Sequence, residues 1–491
     1  YTTEESSAAS DVYKRQGMQD VNIVPRDPLT LASVVGDDRA GALATDAAAD
    51  AVAALAGRSV LNVNSTATGG GVAEMLRVLL AYVRGVGIDA RWLVVEAGAP
   101  FFAVTKRIHN HLYGGVGDGG ALGPDAHEIY EAALRAEADE LATHLRPGDV
   151  VILHDPQTAG LARYVRDCGA RVVWRCHVGV DETDENTDKA WNFLRPYLEG
   201  NVDHYVFTHR EFAPDWIDQE AVSAIWPSID PFAPKNQELS DEKVEAILTQ
   251  VGLVAGRAGD TTYTRSDGTV GRVESYCDIF RNGPAPGVDT PLVVQVSRWD
   301  VMKDMEGVMH GFAQYVDSGR DAHLVLAGPA VTAVADDPEG GQVLQQCWEA
   351  WRGLPHAVRH RVQLTCVPMH DIDENAVIVN ALQRHARVLV QKSIAEGFGL
   401  TVAEGMLKGR PVVASAVGGL VDQVVDGETG YLVRDPLDLA EYGGHVAALL
   451  DDPARAHEMG EAGRQRAIDT HLGDTQLQKW LGVLQRLSAL D

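Results

Sequence analysis

The chain has 491 residues, 45% of them apolar, and a formal net charge of −28. That length calls for two or three domains, each able to bury a core, and the charge argues against a generic binder of nucleic acid or anionic membranes, which would be basic. No apolar run reaches the roughly 18 residues of a membrane span, no charged-then-apolar signal layout opens the chain, and five scattered cysteines (Cys168, Cys176, Cys277, Cys347, Cys366) without a CxxC pair argue against a disulfide framework or zinc site and fit a reducing cytoplasm. An anionic ligand would need a local cluster of basic groups against the overall field.

Residues 1–20, YTTEESSAASDVYKRQGMQD, carry no periodicity and are expected to form a disordered or non-native tail. An Ala-rich helix follows at 47–57, then a strand SVLNVNS at 59–65 and a turn TATGGG. The stretch 72–87 has helical apolar spacing and ends on glycine; ARWLVVEA at 90–97 is the next strand. Strand, glycine loop, helix and strand make a βαβ unit. Strands at 149–156, 171–179 and 204–209, with helices such as 127–145 between them, continue a doubly wound α/β domain over 21–228.

The pattern then restarts. Short apolar strands are expected at 291–300, 323–329, 361–368, 386–393, 411–419 and 429–434, separated by helices, in a second Rossmann-like domain over 229–470. Residues 255–288 are rich in Gly, Thr, Arg and Asp without apolar period and read as an exposed insertion. The last helix, 473–489, within a C-terminal segment 471–491, could belong to either domain. The fold class is α/β, two doubly wound domains.

One segment carries chemistry. KSIAEGFGLTVAEGMLKG (392–409) places Glu396 on a glycine loop after a strand and Glu404 inside the following helix. Ligands of open α/β sheets bind outside the carboxyl ends of the strands. Gly397 and Gly399 let a ligand approach the backbone, and the free N–H groups at Gly399, Leu400 and Thr401 suit a phosphate. Two readings of Glu404 stay open, since Thr401-x-x-Glu404 is also a capping-box pattern. In SRWDVMKD, Arg298 and Lys303 stand at another strand's carboxyl end, where two cations would complete an anion site.

E-x7-E around GFG, with an Arg…Lys loop before it, resembles the retaining glycosyltransferases of the fourth sequence family, which have the two-domain GT-B fold. NVNSTATGGGVAEML, FFAVTKRIHNHLYG, HDPQTAGL, WRCHVGVD, QVSRWDVMKD, AGPAVTAVADDPEG and LVQKSIAEGFGLTVAEGMLKGRPVVA narrow the resemblance to the trehalose glycosyltransferring synthases, over about residues 20–490. The insertion at 255–288 is foreign to compact members, and the first 20 residues match nothing. The resemblance implies that Glu404 binds ribose hydroxyls, Glu396 the donor sugar near the reacting carbon, and Arg298 and Lys303 the diphosphate. It further implies that Gly69, Gly70 and Gly71 reach the phosphates across the cleft, that His177 contacts the donor sugar, and that Asp155, Gln157, Lys106 and Asn110 face the sugars. Lys392 is expected near the phosphates.

The implied reaction joins glucose from a nucleoside diphosphate glucose to free glucose, with retention, the leaving phosphate taking the acceptor's proton on the same face. Neither a cofactor nor a metal is expected; Asp336-Asp337 reads as solvated. Such enzymes are often dimers. A retaining trehalose phosphorylase, another hexosyltransferase of the family, and a non-catalytic sugar- or nucleotide-binding protein are the alternatives. An intact Glu404 favours a ribose over free phosphate; the base, read by loops near Gly328 and Val367, is left open.

Overall fold

A computed structural model describes residues 18–43, 48–67, 71–316, 318–331 and 338–488. Its first sheet contains β1 (Gln19–Asp20), β2 (Val60–Asn64), β3 (Ala90–Val94), β4 (Val150–His154), β5 (Arg171–Cys176), β6 (His204–Phe207) and β7 (Val222–Ala224). They lie in the order β1-β3-β2-β4-β5-β6-β7, all parallel except β1. A small hairpin of β8 (Thr262–Thr264) and β9 (Val270–Arg272) follows. The second sheet holds β10 (Asp278–Phe280), β11 (Leu292–Val296), β12 (His323–Pro329), β13 (Val362–Val367), β14 (Val388–Gln391), β15 (Val412–Ser415) and β16 (Gly430–Val433). Its order is β10-β13-β12-β11-β14-β15-β16, with β10 the antiparallel edge.

The inner strands read as apolar runs because helices cover both faces: every residue of β2, β4, β14 and β15 is buried. In each sheet the strand order reverses at one place, β2 beside β4 and β11 beside β14. Such a switch point splays the connections and opens a crevice at the carboxyl ends of the strands. The glycine loop before Gly71, the turn at Asp155, the Arg298–Lys303 loop and the Glu396 loop all leave from these four strands. No helix among the described residues is long and apolar enough to cross a membrane.

The chain passes between the two sheets twice. Ile229 pairs with Leu472 as an isolated parallel bridge, and Ser228 donates to Gln476 at 2.7 Å. The helix Gly473–Ser488 then returns to the first sheet, where Leu477, Trp480, Leu481 and Leu484 share a core with Val60, Leu76 and Leu80.

Two expectations are corrected here. The tail was expected to reach residue 20, but Met18 is buried and Gln19–Asp20 pair with Val94 and Leu93 as an edge strand; residues 1–17 lie outside the described residues. The segment 255–288 is not merely an exposed insertion. Tyr263 and Val273 are buried, Ile279 pairs with Thr365 to extend the second sheet, and the Glu374 carboxylate accepts from the N–H groups of Glu274 and Ser275 at 2.7 and 2.8 Å. Its strands have three residues each, too few to display a period-2 pattern.

Candidate active site

The loop between β14 and the helix Leu400–Leu407 is built for close approach. Gly399 caps the helix in the left-handed region at φ 84°, a conformation that costs glycine little. A Cβ on Gly397 would fall 2.8 Å from the carbonyl oxygen of His177 and 2.9 Å from the Tyr113 hydroxyl, both in the first domain. Glu396 is buried between these glycines and the strand. Its Oε2 accepts from Lys303 Nζ at 2.7 Å, Ser393 Oγ at 3.0 Å and Gln391 Nε2 at 3.3 Å. Oε1 has no such bond among the described residues, so one oxygen is anchored and the other can meet a sugar hydroxyl.

Glu404 does not cap its helix. Gly399 is the N-cap, and the Thr401 hydroxyl turns away to donate to Gln391 at 2.8 Å. Glu404 is 3% exposed. Gln383 donates to it at 3.4 Å, and Lys235 Nζ stands 3.7 Å away while also donating to Glu74 of the first domain at 3.2 Å. Burial disfavours a charged lysine, but the Glu404 and Glu74 carboxylates outweigh it and raise the Lys235 pKa. Beneath them Lys408 is buried, donating to Asn236, Gln383 and the Glu404 carbonyl, and burial lowers its pKa to about 7.

The opposite wall comes from the first domain. Asp155 follows β4 with φ 61°, a strained value for a residue with a side chain. The His177 N–H donates to its Oδ1 at 2.7 Å. Burial pushes the Asp155 carboxyl up to about 7, against that hydrogen bond. Gln157 is half-buried in the same short turn. The helix Ala99–Leu112 carries exposed Lys106 and half-buried Asn110. Burial, then the charges of Lys106 and Arg298, push His109 down to about 3, which places all three in one field. Burial and the nearby Glu396 carboxylate raise the Tyr113 hydroxyl pKa.

Further contacts span the domains. Gly71 stands against the first turn of the Leu400 helix: a Cβ there would lie 3.1 Å from Leu400 Cδ1. The first N–H groups of that turn, at Leu400 and Thr401, have no acceptor within their own helix. The Gly418 N–H donates to Asp181 at 2.8 Å, and His209 Nδ1 lies 2.7 Å from Asp422. The Asp422 hydrogen bond raises the His209 pKa despite burial, helped by Glu211 and Asp181.

The structure thus brings Arg298, Lys303, Glu396, Gly397, Gly399, Leu400, Gly71, His177 and Asp155 together between the domains, with Thr401 and Glu404 farther along the same helix; Lys106 and Asn110 stand on the helix that carries His109, and Gln157 lies two residues after Asp155. Arg298 is half exposed and donates to Asp300 at 3.0 Å. Lys392 is placed elsewhere: it is fully buried, ion-paired with Asp304 and donating to the Pro436 carbonyl at 2.6 Å. Its charge holds the loop between β11 and its helix rather than a phosphate. Gly69, Gly70 and Asp336-Asp337 lie outside the described residues. Tyr113, His109 and Lys235 were missed; a tyrosine and a histidine in a helix read as packing, and a lysine in a loop as solvated.

Two Rossmann-like sheets facing across such a cleft define a glycosyltransferase of the GT-B fold. Residues 62–214 match the family described as "Trehalose synthase, N-terminal domain", and residues 278–466 match "Glycosyl transferases group 1". A trehalose synthase of Pyrococcus horikoshii is 33% identical over 88% of this chain and 91% of its own length. The chain belongs to the trehalose synthase family, and its activity is trehalose-related glycosyl transfer. A trehalose phosphorylase of Pleurotus pulmonarius is 26% identical over 84% of this chain, which spans 54% of that longer relative. HepE of Anabaena, solved in complex with UDP-glucose, shares the fold, with a TM-score of 0.58 at 14% identity over 87% of this chain and 98% of its own.

Proposed function

We propose that the chain transfers a glucosyl unit from a nucleoside diphosphate glucose to free glucose, forming trehalose with retention. The observation that carries this reading is Glu404. It is a buried carboxylate without a capping role, one turn behind a helix N-terminus that stands against Gly71, which suits a ribose diol beside a diphosphate. Lys303, Arg298 and the first-turn N–H groups meet the charge that grows on the leaving diphosphate. Glu396 presents Oε1 to the donor sugar near the anomeric carbon, and His177, Asp155, Gln157, Lys106 and Asn110 line the sugar side. The acceptor hydroxyl attacks from the face the diphosphate leaves, and the departing phosphate oxygen takes its proton. No metal is required, because Lys303, Arg298 and the partial positive charge of the backbone N–H groups meet the diphosphate. Closure of the domains excludes water and limits hydrolysis.

The phosphorylase relative favours a second reading, in which free phosphate takes the place of the diphosphate beside Lys303. The two separate in one experiment. The protein is incubated with glucose and each nucleoside diphosphate glucose, and separately with trehalose and phosphate, and products are identified. Trehalose from a nucleotide donor supports the synthase; glucose 1-phosphate from trehalose and phosphate alone overturns it.

A further inference from the structure

Under the cleft end of β5 lies a polar cluster that sugar transfer as described above leaves unused. Arg175 is fully buried. Its Nε donates to His177 Nε2 at 3.0 Å and its Nη2 to the Ile225 carbonyl at 3.0 Å, while Nη1 has no hydrogen-bond partner among the described residues. Asp155 acts on it through space, but among the described residues Arg175 forms no ion pair. Instead the Trp480 ring lies 5.4 Å from the guanidinium carbon. A buried cation without a carboxylate is costly, so its place next to a cleft histidine calls for a use.

The histidine is backed by a second one. His154 Nδ1 lies 3.1 Å from His177 Nε2, the rings are parallel within 10°, and His154 Nε2 lies 3.0 Å from Asn62 Oδ1. Asn62 and His154 are both buried.

We propose that Arg175 is a positioning residue for His177, its buried guanidinium fixing the ring at the cleft and keeping it uncharged, with His154 and Asn62 as backing. The inference rests on His177 meeting the donor sugar. The bond from Arg175 needs the lone pair of Nε2, so the ring can accept it only while uncharged, with its proton on Nδ1; an imidazolium has no acceptor to offer Arg175. An imidazolium would also set positive charge beside an anomeric carbon that becomes cationic in the transition state. The groups facing His177 are Arg175 near the end of β5, His154 at the end of β4 and Asp155 just after it, and Tyr113 at the end of the helix Ala99–Leu112, with Glu396 and Arg298 beyond Tyr113. Burial first, then the Arg175 charge, hold both imidazoles well below the ordinary histidine range.

The test follows the Cε1–H signal of His177 in protein carrying 13C-labelled histidine, assigned through H177Q, in wild type, R175M and R175K. The His177 signal should stay fixed between pH 5 and 8 in the wild type and in R175K, and should titrate in R175M. Because burial remains in R175M, the midpoint should stay below the ordinary histidine value of about 6.5, and kcat/KM should fall toward pH 5 relative to wild type, in whichever of trehalose synthesis or phosphorolysis the wild type catalyses. A wild-type signal that titrates, or an R175M signal that stays fixed, overturns the proposal. Should R175M not fold, a wild-type His177 that titrates between pH 5 and 8, or an R175K His177 that does so, overturns it equally. An unchanged donor KM in H177Q, with the titrations as expected, would overturn the sugar contact and leave the positioning role standing.

Discussion

Lys303 donates to Glu396 across 2.7 Å, tying the loop after β11 to the loop after β14 at the base of the cleft. The pair holds a cation where the diphosphate is proposed to leave and a carboxylate where the sugar is proposed to bind. Lys303→Met should therefore lower turnover by about 100-fold or more, the usual cost of losing one charge-stabilising donor. Thermal unfolding should change little by comparison, because Ser393 and Gln391 still donate to Glu396. Initial rates beside a melting curve decide it, and near-normal turnover would remove Lys303 from the phosphate site.

Glu404→Gln tests the ribose contact. The donor KM should rise about 10- to 100-fold, the worth of a hydrogen bond to a charged group, with the melting temperature nearly constant. Stability should hold because Gly399, not Glu404, caps the start of the helix, and Lys235 keeps Glu74 as a partner. Donor saturation kinetics read the first part. A stability loss of about 0.5–2 kcal/mol with unchanged donor kinetics would mean that the carboxylate serves the helix alone.

Gly397→Ala should act as a wedge. The new methyl would meet the His177 carbonyl and the Tyr113 hydroxyl, which belong to the opposite domain, so the cleft could not close fully. Misplacement of reacting groups by about 1 Å costs on the order of 100-fold; kcat should fall by that order while the melting temperature stays close to wild type. A fully active variant would show that this approach is not needed for turnover.

The contact between His209 and Asp422 makes part of the interdomain stability depend on pH. Because Asp422, Glu211 and Asp181 raise the folded-state pKa of His209, its contribution is complete below the unfolded value and disappears as pH rises through the folded one. His209→Gln should thus lower the melting temperature more at pH 6 than at pH 9. The loss at pH 6 should amount to at most about 1.5–3 kcal/mol, the range for a charged hydrogen bond. Equal losses at both pH values would contradict this.

Excess chelator should leave trehalose synthesis unchanged, since Lys303 and Arg298 are proposed to take the role a divalent ion plays in other transferases. Activity lost to chelator and restored by magnesium would refute that expectation.

Most of the two sheets was legible because buried parallel strands are continuous apolar runs, as in 59–65 and 291–300. The three-residue strands within 255–288 were not, having no length over which a period can repeat. Side-chain type marked Glu396, Lys303 and Glu404 as candidates, but direction could not be read. A lysine closing a strand can face a ligand or the protein, and Lys392 turns inward to Asp304. Partners brought from more than a hundred residues away, such as Lys235 for Glu404 or Tyr113 for Gly397, leave no local pattern because packing alone joins them.

The helix Gly473–Ser488 has a consequence for how the molecule is made. It supplies Leu477, Trp480, Leu481 and Leu484 to a core otherwise built from the first half of the chain, Ile23 to Ile225. During synthesis that core must wait, with part of its apolar face uncovered, while the ribosome completes the entire second domain. A chain emerging at about 5–20 residues per second leaves this surface open for many seconds. The nascent first domain is therefore a natural client for a chaperone, and its last piece of packing arrives only after the second domain has been made.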